Sequence, residues 1–251
     1  MIRKTRFFLL CAILLFPAFL AHCGEDALSI IRKVEEKQSV DTSKSQLSIL
    51  VFPDAGDEKN VRTFTVLSYS QGDEDSYMEF LSPRTIRGLK LLSKGDDQWV
   101  YFSSTGRCRK IASSSKSKKR SVKGVGGDFS YEDLGGGKLE EKYSFEIRRD
   151  GKTEWVLEGM PKKEDSVYSK IVIYVHKSNY MISKIEYYTE EEGHYKDLRT
   201  DEIKIMGGRE TATRMSMLNH DKGSKTTIVI HSAEYDTPLD DKYFNPARFY
   251  K

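Results

Sequence analysis

The stretch SKIVIYVHKSNYMISKIEYYTEE, Ser169 to Glu191, gives the clearest indication of the fold class. It holds two runs of β-branched and aromatic residues with a short polar segment between them. In the first run Ile171, Ile173 and Val175 fall on every second position, and side chains spaced in this way share one face of a β-strand. Two such runs joined by a short turn predict a pair of antiparallel strands.

The same pattern recurs over most of the chain. From Gln46 to Tyr235 short alternating runs are broken by turn signals such as Pro53, the acidic segment QGDEDS and Pro83. Turns of two to six residues favour antiparallel neighbours, and no helical segments are available for parallel βαβ units. The sequence therefore predicts a mainly β protein, a single antiparallel up-and-down meander of about ten or eleven strands.

Helices are few in this sequence. One amphipathic helix is predicted from Ala27 to about Gln38, with Leu28, Ile31 and Val34 at helical spacing, and the C-terminal tail predicts one helical turn. So wide a sheet has to curl, and one helix covers only part of its concave face. We therefore expect an unclosed half-barrel whose apolar cavity accepts apolar ligands.

Alternation also predicts which side chains line that cavity. In addition to the Ile171, Ile173 and Val175 face, two further pairs each share one face of a strand: Trp99 with Tyr101, and Met215 with Met217. Methionine adapts to irregular apolar partners. The alternative is that all of these residues belong to the ordinary hydrophobic core.

Residues 1–23 are typical of an export signal. Three basic residues precede an apolar stretch from Phe7 to Leu20, which is short for a membrane span. The following LAHC is similar to a bacterial lipobox, so Cys23 is predicted to carry a lipid anchor and residues 24–251 to form the mature domain. Ordinary secretion and an uncleaved anchor are the alternatives.

Charge and composition exclude several functions. The formal net charge of +3 resides in the three basic residues of the signal, so the mature chain is near neutral and binding to nucleic acid is disfavoured. None of the five histidines lies in a recognised metal-binding spacing or beside an obvious nucleophile. Accordingly we expect neither an enzyme nor a bound metal or cofactor. Cys108 is left without an intramolecular partner.

An ordered set of motifs resembles the LolA-like family of bacterial envelope proteins, the outer-membrane lipoprotein-sorting proteins. The matching residues are FLSP at Phe80–Pro83, Gly88 with Leu89, Trp99 with Tyr101, GRCRKI at Gly106–Ile111 and GDFSYEDL at Gly127–Leu134. The resemblance extends from about Ile30 to Tyr250, which is nearly the whole mature chain.

The resemblance implies a curved sheet with a helical lid over a hydrophobic cavity, no cofactor, and a role in sheltering acyl chains of lipids or lipoproteins in the periplasm. Partners would be the membrane surface and envelope transport machinery. In the segment around Gly126 and Gly127, Phe129 and Tyr131 would pack under the lip of the cavity. Asp128 and Asp133 would bind backbone amides or a nearby arginine, such as Arg107 or Arg109. A structural corner without ligand contact is the alternative.

The sequence is also compatible with two other functions. One is an envelope-stress sensor resembling RseB, which would bind mislocalised lipoproteins. Another is a surface-exposed lipoprotein adhesin that uses charged loops. The basic residues Lys116, Lys118, Lys119, Arg120 and Lys123 form either a solvated loop or a contact with anionic lipid head groups.

Overall fold

The computed structural model describes residues 25–111, 119, 125, 127–134 and 137–251. Cys23 and the predicted export signal lie outside the described residues. So do Gly126 and four residues of the basic segment, namely Lys116, Lys118, Arg120 and Lys123. The fold class predicted from the alternating runs is confirmed, because the described chain is mainly β and its strands form one antiparallel sheet that is not closed into a barrel.

The described residues form a sheet of 13 strands rather than ten or eleven, because every alternating run forms its own strand. The strands are β1 Thr42–Phe52, β2 Arg62–Gln71, β3 Asp75–Ser82, β4 Lys90–Lys94, β5 Asp97–Phe102, β6 Arg107–Lys110, β7 Tyr143–Asp150, β8 Glu154–Pro161, β9 Lys170–His176, β10 Ile182–Thr189, β11 Gly193–Met206, β12 Arg209–Asn219 and β13 Ser224–Tyr235.

The strand order departs from a simple succession at one connection. The order is β6-β5-β4-β3-β2-β1-β13-β12-β11-β10-β9-β8-β7, so β1 pairs with β13 in the middle of the sheet. After β6 the chain crosses from one edge of the sheet to the other before it enters β7. This long connection contains residues 127–134, and its path across the sheet brings them over the concave face.

The helix α1 spans Ala27–Gln38, as its spacing predicts. Asp26 caps it by accepting a hydrogen bond from the backbone nitrogen of Ser29 at 2.8 Å. Its buried face differs slightly from the predicted one, since Leu28 is 42% exposed whereas Ile30 is fully buried. A one-turn helix α2, Leu139–Lys142, follows the crossing connection, and the predicted turn of the tail is a 3-10 helix at Asp241–Phe244.

The C-terminal tail covers the outer face of β2–β6, and this placement corrects part of the predicted cavity lining. Trp99 and Tyr101 pack with the tail, and the Tyr101 ring stacks on Tyr250 at 5.4 Å between ring centroids. Their neighbour Val100 points to the concave face, because successive residues of a strand alternate. Trp99 and Tyr101 thus lie on the opposite side of the sheet from Tyr131.

Candidate functional site

Helix α1 fills one half of the concave face. Ile30, Ile31 and Val34 are at most 1% exposed and pack in one cluster with the predicted residues of β9. Ile171, Ile173 and Val175, which alternation placed on one face, are also at most 1% exposed. These side chains are covered by the helix, so this half of the trough has a solid core.

The connection between β6 and β7 covers the other half. Val125 and Tyr131 are buried in a cluster with concave-face residues of β1–β5, and Phe129 is half-buried. At Gly127 the backbone has a φ of +82°, and a β-carbon there would lie 2.8 Å from Thr226 Oγ1. Glycine lets the segment approach β13 closely at this point. The segment therefore fills part of the concave face as well as bordering it.

Two buried carboxylates attach this segment to the sheet. Asp128 accepts hydrogen bonds from the hydroxyls of Ser224 and Thr226 at 2.5 and 2.8 Å. Asp133 accepts one from Tyr168 Oη at 2.6 Å and pairs with Lys196 Nζ at 2.5 Å. Of the two arginines named above, both of which the structure describes, neither bonds to these carboxylates, and Lys196 of β11 pairs with Asp133 in their place. The predicted backbone contact is present, since the amide of Ser130 donates to Asp133.

Lys196 is the central cation of the trough. Its side chain is 1% exposed, and its Nζ lies 5.2–5.5 Å from the ring centroids of Tyr168, Tyr187 and Tyr195. Burial raises the pKa of Tyr168 and of Tyr187 well above the ordinary value, so both rings are neutral phenols. Aromatic faces and one carboxylate thus replace the water that this ammonium loses.

An open cavity remains beyond the C-terminal end of α1. Its volume is about 300 Å³, and it lies between that end of α1 and the concave face of β10–β13. Most of the lining is apolar: Met181, Ile182, Ile185, Leu198, Ala212, Met215 and the ring of Tyr235. Ligand pockets in proteins range over roughly 300–1,000 Å³, so this cavity is large enough for a small apolar group or a segment of chain.

The rim of this cavity is charged. Arg209 Nη2 donates to the backbone carbonyls of Lys37 and Ser39 at 2.9 and 2.8 Å, which ties β12 to the end of α1. Lys37 Nζ pairs with Glu210 at 2.8 Å. The Arg209 guanidinium also lies over the Tyr235 ring, 5.6 Å from its centroid. Apolar walls under a charged rim suit an amphipathic ligand with its head group outside.

The structure brings only some of the predicted lining residues to this cavity. Met215 lines it, and Met217 is fully buried beside it, paired across the strands with Leu198. Ile171, Ile173 and Val175 are core residues under α1. Several lining residues were missed by the sequence reasoning, namely Met181, Ile182, Ile185, Leu198, Ala212 and Tyr235. Met181, Ile182 and Ile185 lie in the segment from Ser169 to Glu191, but alternation alone does not predict which part of the sheet α1 leaves uncovered.

Two further features bear on the expected function. Cys108 is half-buried on the tail side of the sheet, and burial raises the pKa of its thiol, which disfavours the reactive thiolate. In the described part of the chain no helix has the length and apolarity needed to cross a membrane.

Comparison with known proteins supports the fold and the family. A family model described as "Uncharacterized protein" matches residues 72–251. Among curated proteins no relative matches this chain. A putative outer membrane lipoprotein-sorting protein domain from Vibrio parahaemolyticus has a similar structure, with a TM-score of 0.79 and 25% identity over 89% of this chain and 98% of that one.

Two more solved structures have the same architecture. A DUF1329 family protein from Desulfovibrio piger superposes with a TM-score of 0.77 and 25% identity, over 86% of this chain and 94% of its own. A LolA superfamily protein from Nitrosomonas europaea gives a TM-score of 0.72 at 21% identity, over 88% of this chain and 98% of its own, a likeness of fold alone.

Proposed function

The chain belongs to the LolA-like family, and from that premise we propose that it is a binding protein of the bacterial envelope that holds acyl chains of lipids or lipoproteins. The observation that carries the proposal is the apolar cavity of about 300 Å³ beside α1. Most of its lining is apolar, with two methionines, and its rim is charged. Such a site binds by apolar burial, without a catalytic group.

The volume of the cavity limits the affinity that burial of an apolar ligand can provide. Cavity studies give roughly 24 cal/mol per Å³ of apolar space, so filling 300 Å³ would contribute at most about 7 kcal/mol. Ordering of the guest and of the rim side chains reduces this gain. The cavity as it stands therefore suits one acyl chain or part of one, with affinity no tighter than about micromolar.

A ligand larger than this cavity can bind only if helix α1 moves. The helix is held at its C-terminal end by the Arg209 bonds and near its middle by Arg32, which pairs with Glu140 of α2 at 2.8 Å. The Arg32 ion pair is at the surface and is weak by itself, so movement of α1 is opposed mainly by the Arg209 bonds and by the buried side chains of its apolar face. Displacement of α1 would uncover the apolar face of β9 and extend the cavity toward Ile173. A lipoprotein with several acyl chains would bind in this way.

Export and anchoring form part of the proposal. Residues 1–23 would direct the chain out of the cytoplasm, Cys23 would carry a lipid, and residues 24–251 would act in the periplasm. Mass spectrometry of the mature amino terminus tests this part. A terminus at Cys23 with a diacylglyceryl mass supports it, and an unmodified terminus contradicts the anchor.

Binding is tested by titrating a fluorescent fatty acid into purified protein whose own lipids have been removed. Met215→Trp and Ala212→Trp fill the cavity and should weaken binding at least tenfold. Met160→Trp is the matched control, because Met160 is 50% exposed and lies outside the cavity lining. The proposal fails if the protein binds no fatty acid, or if the cavity variants bind as tightly as the control.

A further inference from the structure

A second group of polar side chains lies on the outer face of the sheet, on the other side from the cavity. His194, Asp197 and His220 each offer one ligand atom, and these atoms lie within 4.8 Å of one another. His194 Nε2 is 2.7 Å from Asp197 Oδ1, and His220 Nε2 is 3.5 Å from Asp197 Oδ2. Nothing in the lipid-binding proposal uses these residues.

A β-bulge creates the group. On β10, Tyr188 pairs with His194 and Tyr187 pairs with Lys196, so Tyr195 is an extra residue on β11. In a regular strand, residues three positions apart point to opposite faces. The extra residue shifts the alternation and turns His194 and Asp197 to the same face. Bulges of this kind re-aim side chains and are enriched next to functional sites.

The third member comes from the turn after β12. His220 directly follows Asn219, the last residue of that strand, and its backbone amide donates to the carbonyl of Tyr195 at 3.0 Å. The bulged residue therefore also positions the second histidine. The two imidazole rings lie 4.5 Å apart between centroids.

Neighbouring side chains hold the group in place. The side chain of Asp197 is 2% exposed, and its Oδ2 lies 3.2 Å from Lys184 Nζ and 3.4 Å from Arg199 Nη2. The His194 ring stacks on Tyr188 at 4.9 Å between centroids. Contacts of this kind orient metal-binding side chains before the ion arrives. Oδ1 of Asp197 is left facing His194.

We propose that His194, Asp197 and His220 form a binding site for a divalent transition-metal ion of the Zn²⁺ type. Two imidazole nitrogens and one carboxylate oxygen suit Zn²⁺, Cu²⁺ or Ni²⁺ and disfavour Mg²⁺ and Ca²⁺, which prefer oxygen ligands alone. Three protein ligands leave a fourth tetrahedral position for water or an external ligand.

The distances agree with such an ion after a small movement. Bonds of about 2.0–2.2 Å in a tetrahedral site hold the ligand atoms roughly 3.3–3.5 Å apart. The 3.5 Å separation between His220 Nε2 and Asp197 Oδ2 meets this value, whereas His194 contacts the other carboxylate oxygen, Oδ1, so the carboxylate must also rotate for one oxygen to face both imidazoles. The 2.7 Å separation to His194 must widen by less than about 1 Å, and the partly exposed His194 side chain has room to swing outward.

Local charge limits the affinity. The negative charges of Asp197 and Glu186 are balanced by Lys184, which contacts both, and by Arg199. With neutral imidazoles the surroundings are close to neutral, so they neither attract nor repel the ion strongly. We expect binding in the micromolar range. The bound ion would cross-link the turn between β10 and β11 with the turn between β12 and β13.

Calorimetric titration of Zn²⁺ into untagged, chelator-treated protein tests the site. We expect one ion per chain, and His194→Gln and His220→Gln should each weaken binding at least tenfold. His231→Gln is the control, because His231 is exposed and hydrogen-bonds to Ser48 Oγ at 2.7 Å, with no part in the group. Circular dichroism verifies that each variant is folded.

The proposal is overturned if wild-type protein binds Zn²⁺ no more tightly than His194→Gln, or if an equal concentration of Mg²⁺ displaces the Zn²⁺. Co²⁺ provides a second readout, since a tetrahedral site gives intense visible absorption. That absorption should be present in the wild type and in His231→Gln, and lost in His220→Gln. Equal absorption in all three proteins contradicts the assignment. Fatty-acid binding should be unchanged in every variant, which separates this site from the cavity.

Discussion

Asp133 and Lys196 form an ion pair in the centre of the trough, with 2.5 Å between Oδ2 and Nζ and side chains 3% and 1% exposed. Asp133 belongs to the long connection between β6 and β7, and Lys196 belongs to β11. The pair therefore attaches the connection to the middle of the sheet. Its burial means that removing either partner leaves an uncompensated charge away from water.

Lys196→Met should lower the free energy of unfolding by about 3–5 kcal/mol, the range measured when one partner of a buried pair is removed. Most of this cost comes from the Asp133 carboxylate, which stays buried without its cationic partner. Urea denaturation followed by circular dichroism measures it. Lys204→Met is the control on the same strand, because Lys204 is 59% exposed and its pair with Glu202 is at the surface. The control should change stability by less than about 0.5 kcal/mol.

The paired change Lys196→Met with Asp133→Asn tests whether the cost comes from the unpaired buried charge or from a packing defect. Removing both charges should recover most of the lost stability, since the asparagine oxygen can still accept a hydrogen bond from Tyr168 or Ser130 and no uncompensated charge is left. If the double variant is as unstable as the sum of the single variants, the two residues are not coupled and the interpretation is wrong.

Gly127→Ala should destabilise the protein by about 2 kcal/mol or more. Its φ of +82° is unfavourable for alanine, and the new methyl group would lie 2.8 Å from Thr226 Oγ1 and 3.1 Å from Val51. Gly72→Ala has a φ of +57° but no atom within 4 Å, so it should cost only about 1 kcal/mol. Thermal unfolding of both variants measures the difference. Equal losses of stability in the two variants would mean that the backbone at Gly127 leaves room for a β-carbon beside β13.

The helices and strands of this fold are predicted from signals within short segments of sequence, whereas contacts between distant segments are not predicted. Helix α1 is predicted close to its observed bounds because its apolar spacing is a local signal. The strands are predicted because period-two alternation is also local. The contact of Asp133 with Lys196 joins residues 63 positions apart and follows from the edge-to-edge connection, which no turn signal reveals.

The candidate sites illustrate the same limit. Met215 lies in the lining of the observed cavity, whereas Trp99 and Tyr101 are covered by the C-terminal tail, and the pattern of their own strand does not indicate where that tail packs. His194 and Asp197 look unrelated in sequence, since a regular strand would place them on opposite faces. The β-bulge at Tyr195 brings them together, and it depends on how β10 and β11 pair.

The stability of the protein should fall in acid as Asp197 is protonated. Burial opposes ionisation of this carboxyl, but hydrogen bonds from His194 and Lys184 outweigh it and lower the pKa below 3.8. A lowered folded-state pKa means that the stabilisation is present above the unfolded-state pKa and is lost as the pH falls through the folded-state one. The unfolding free energy of wild type should thus exceed that of Asp197→Asn by more at pH 5 than at pH 3.

That difference should shrink as the pH falls below about 3.9, the usual pKa of an aspartate in an unfolded chain, and on through the lower folded-state pKa. Urea denaturation at several pH values, with a chelator present to exclude metal ions, measures it. Asp201→Asn is the control, because Asp201 is an exposed residue of the same strand. A wild-type advantage that persists unchanged to pH 2 would show that the charge of Asp197 is not the stabilising feature.

Arg209→Met should loosen the C-terminal end of α1. The guanidinium donates to two backbone carbonyls there, and losing these bonds should cost about 1–2 kcal/mol. The amide of Ser39, which donates to the Glu35 carbonyl at 2.8 Å, should then exchange with solvent roughly tenfold faster. Hydrogen exchange measured by NMR reports on this amide directly.

Because the end of α1 forms one wall of the cavity, the same change should speed both uptake and release of a fluorescent fatty acid. Arg214→Met, an exposed arginine on the same strand, should leave exchange and binding rates unchanged. Faster exchange at Ser39 with unchanged fatty-acid kinetics would mean that ligands enter by another route. Faster kinetics in Arg209→Met alone would identify the end of α1 as the part of the helix that opens.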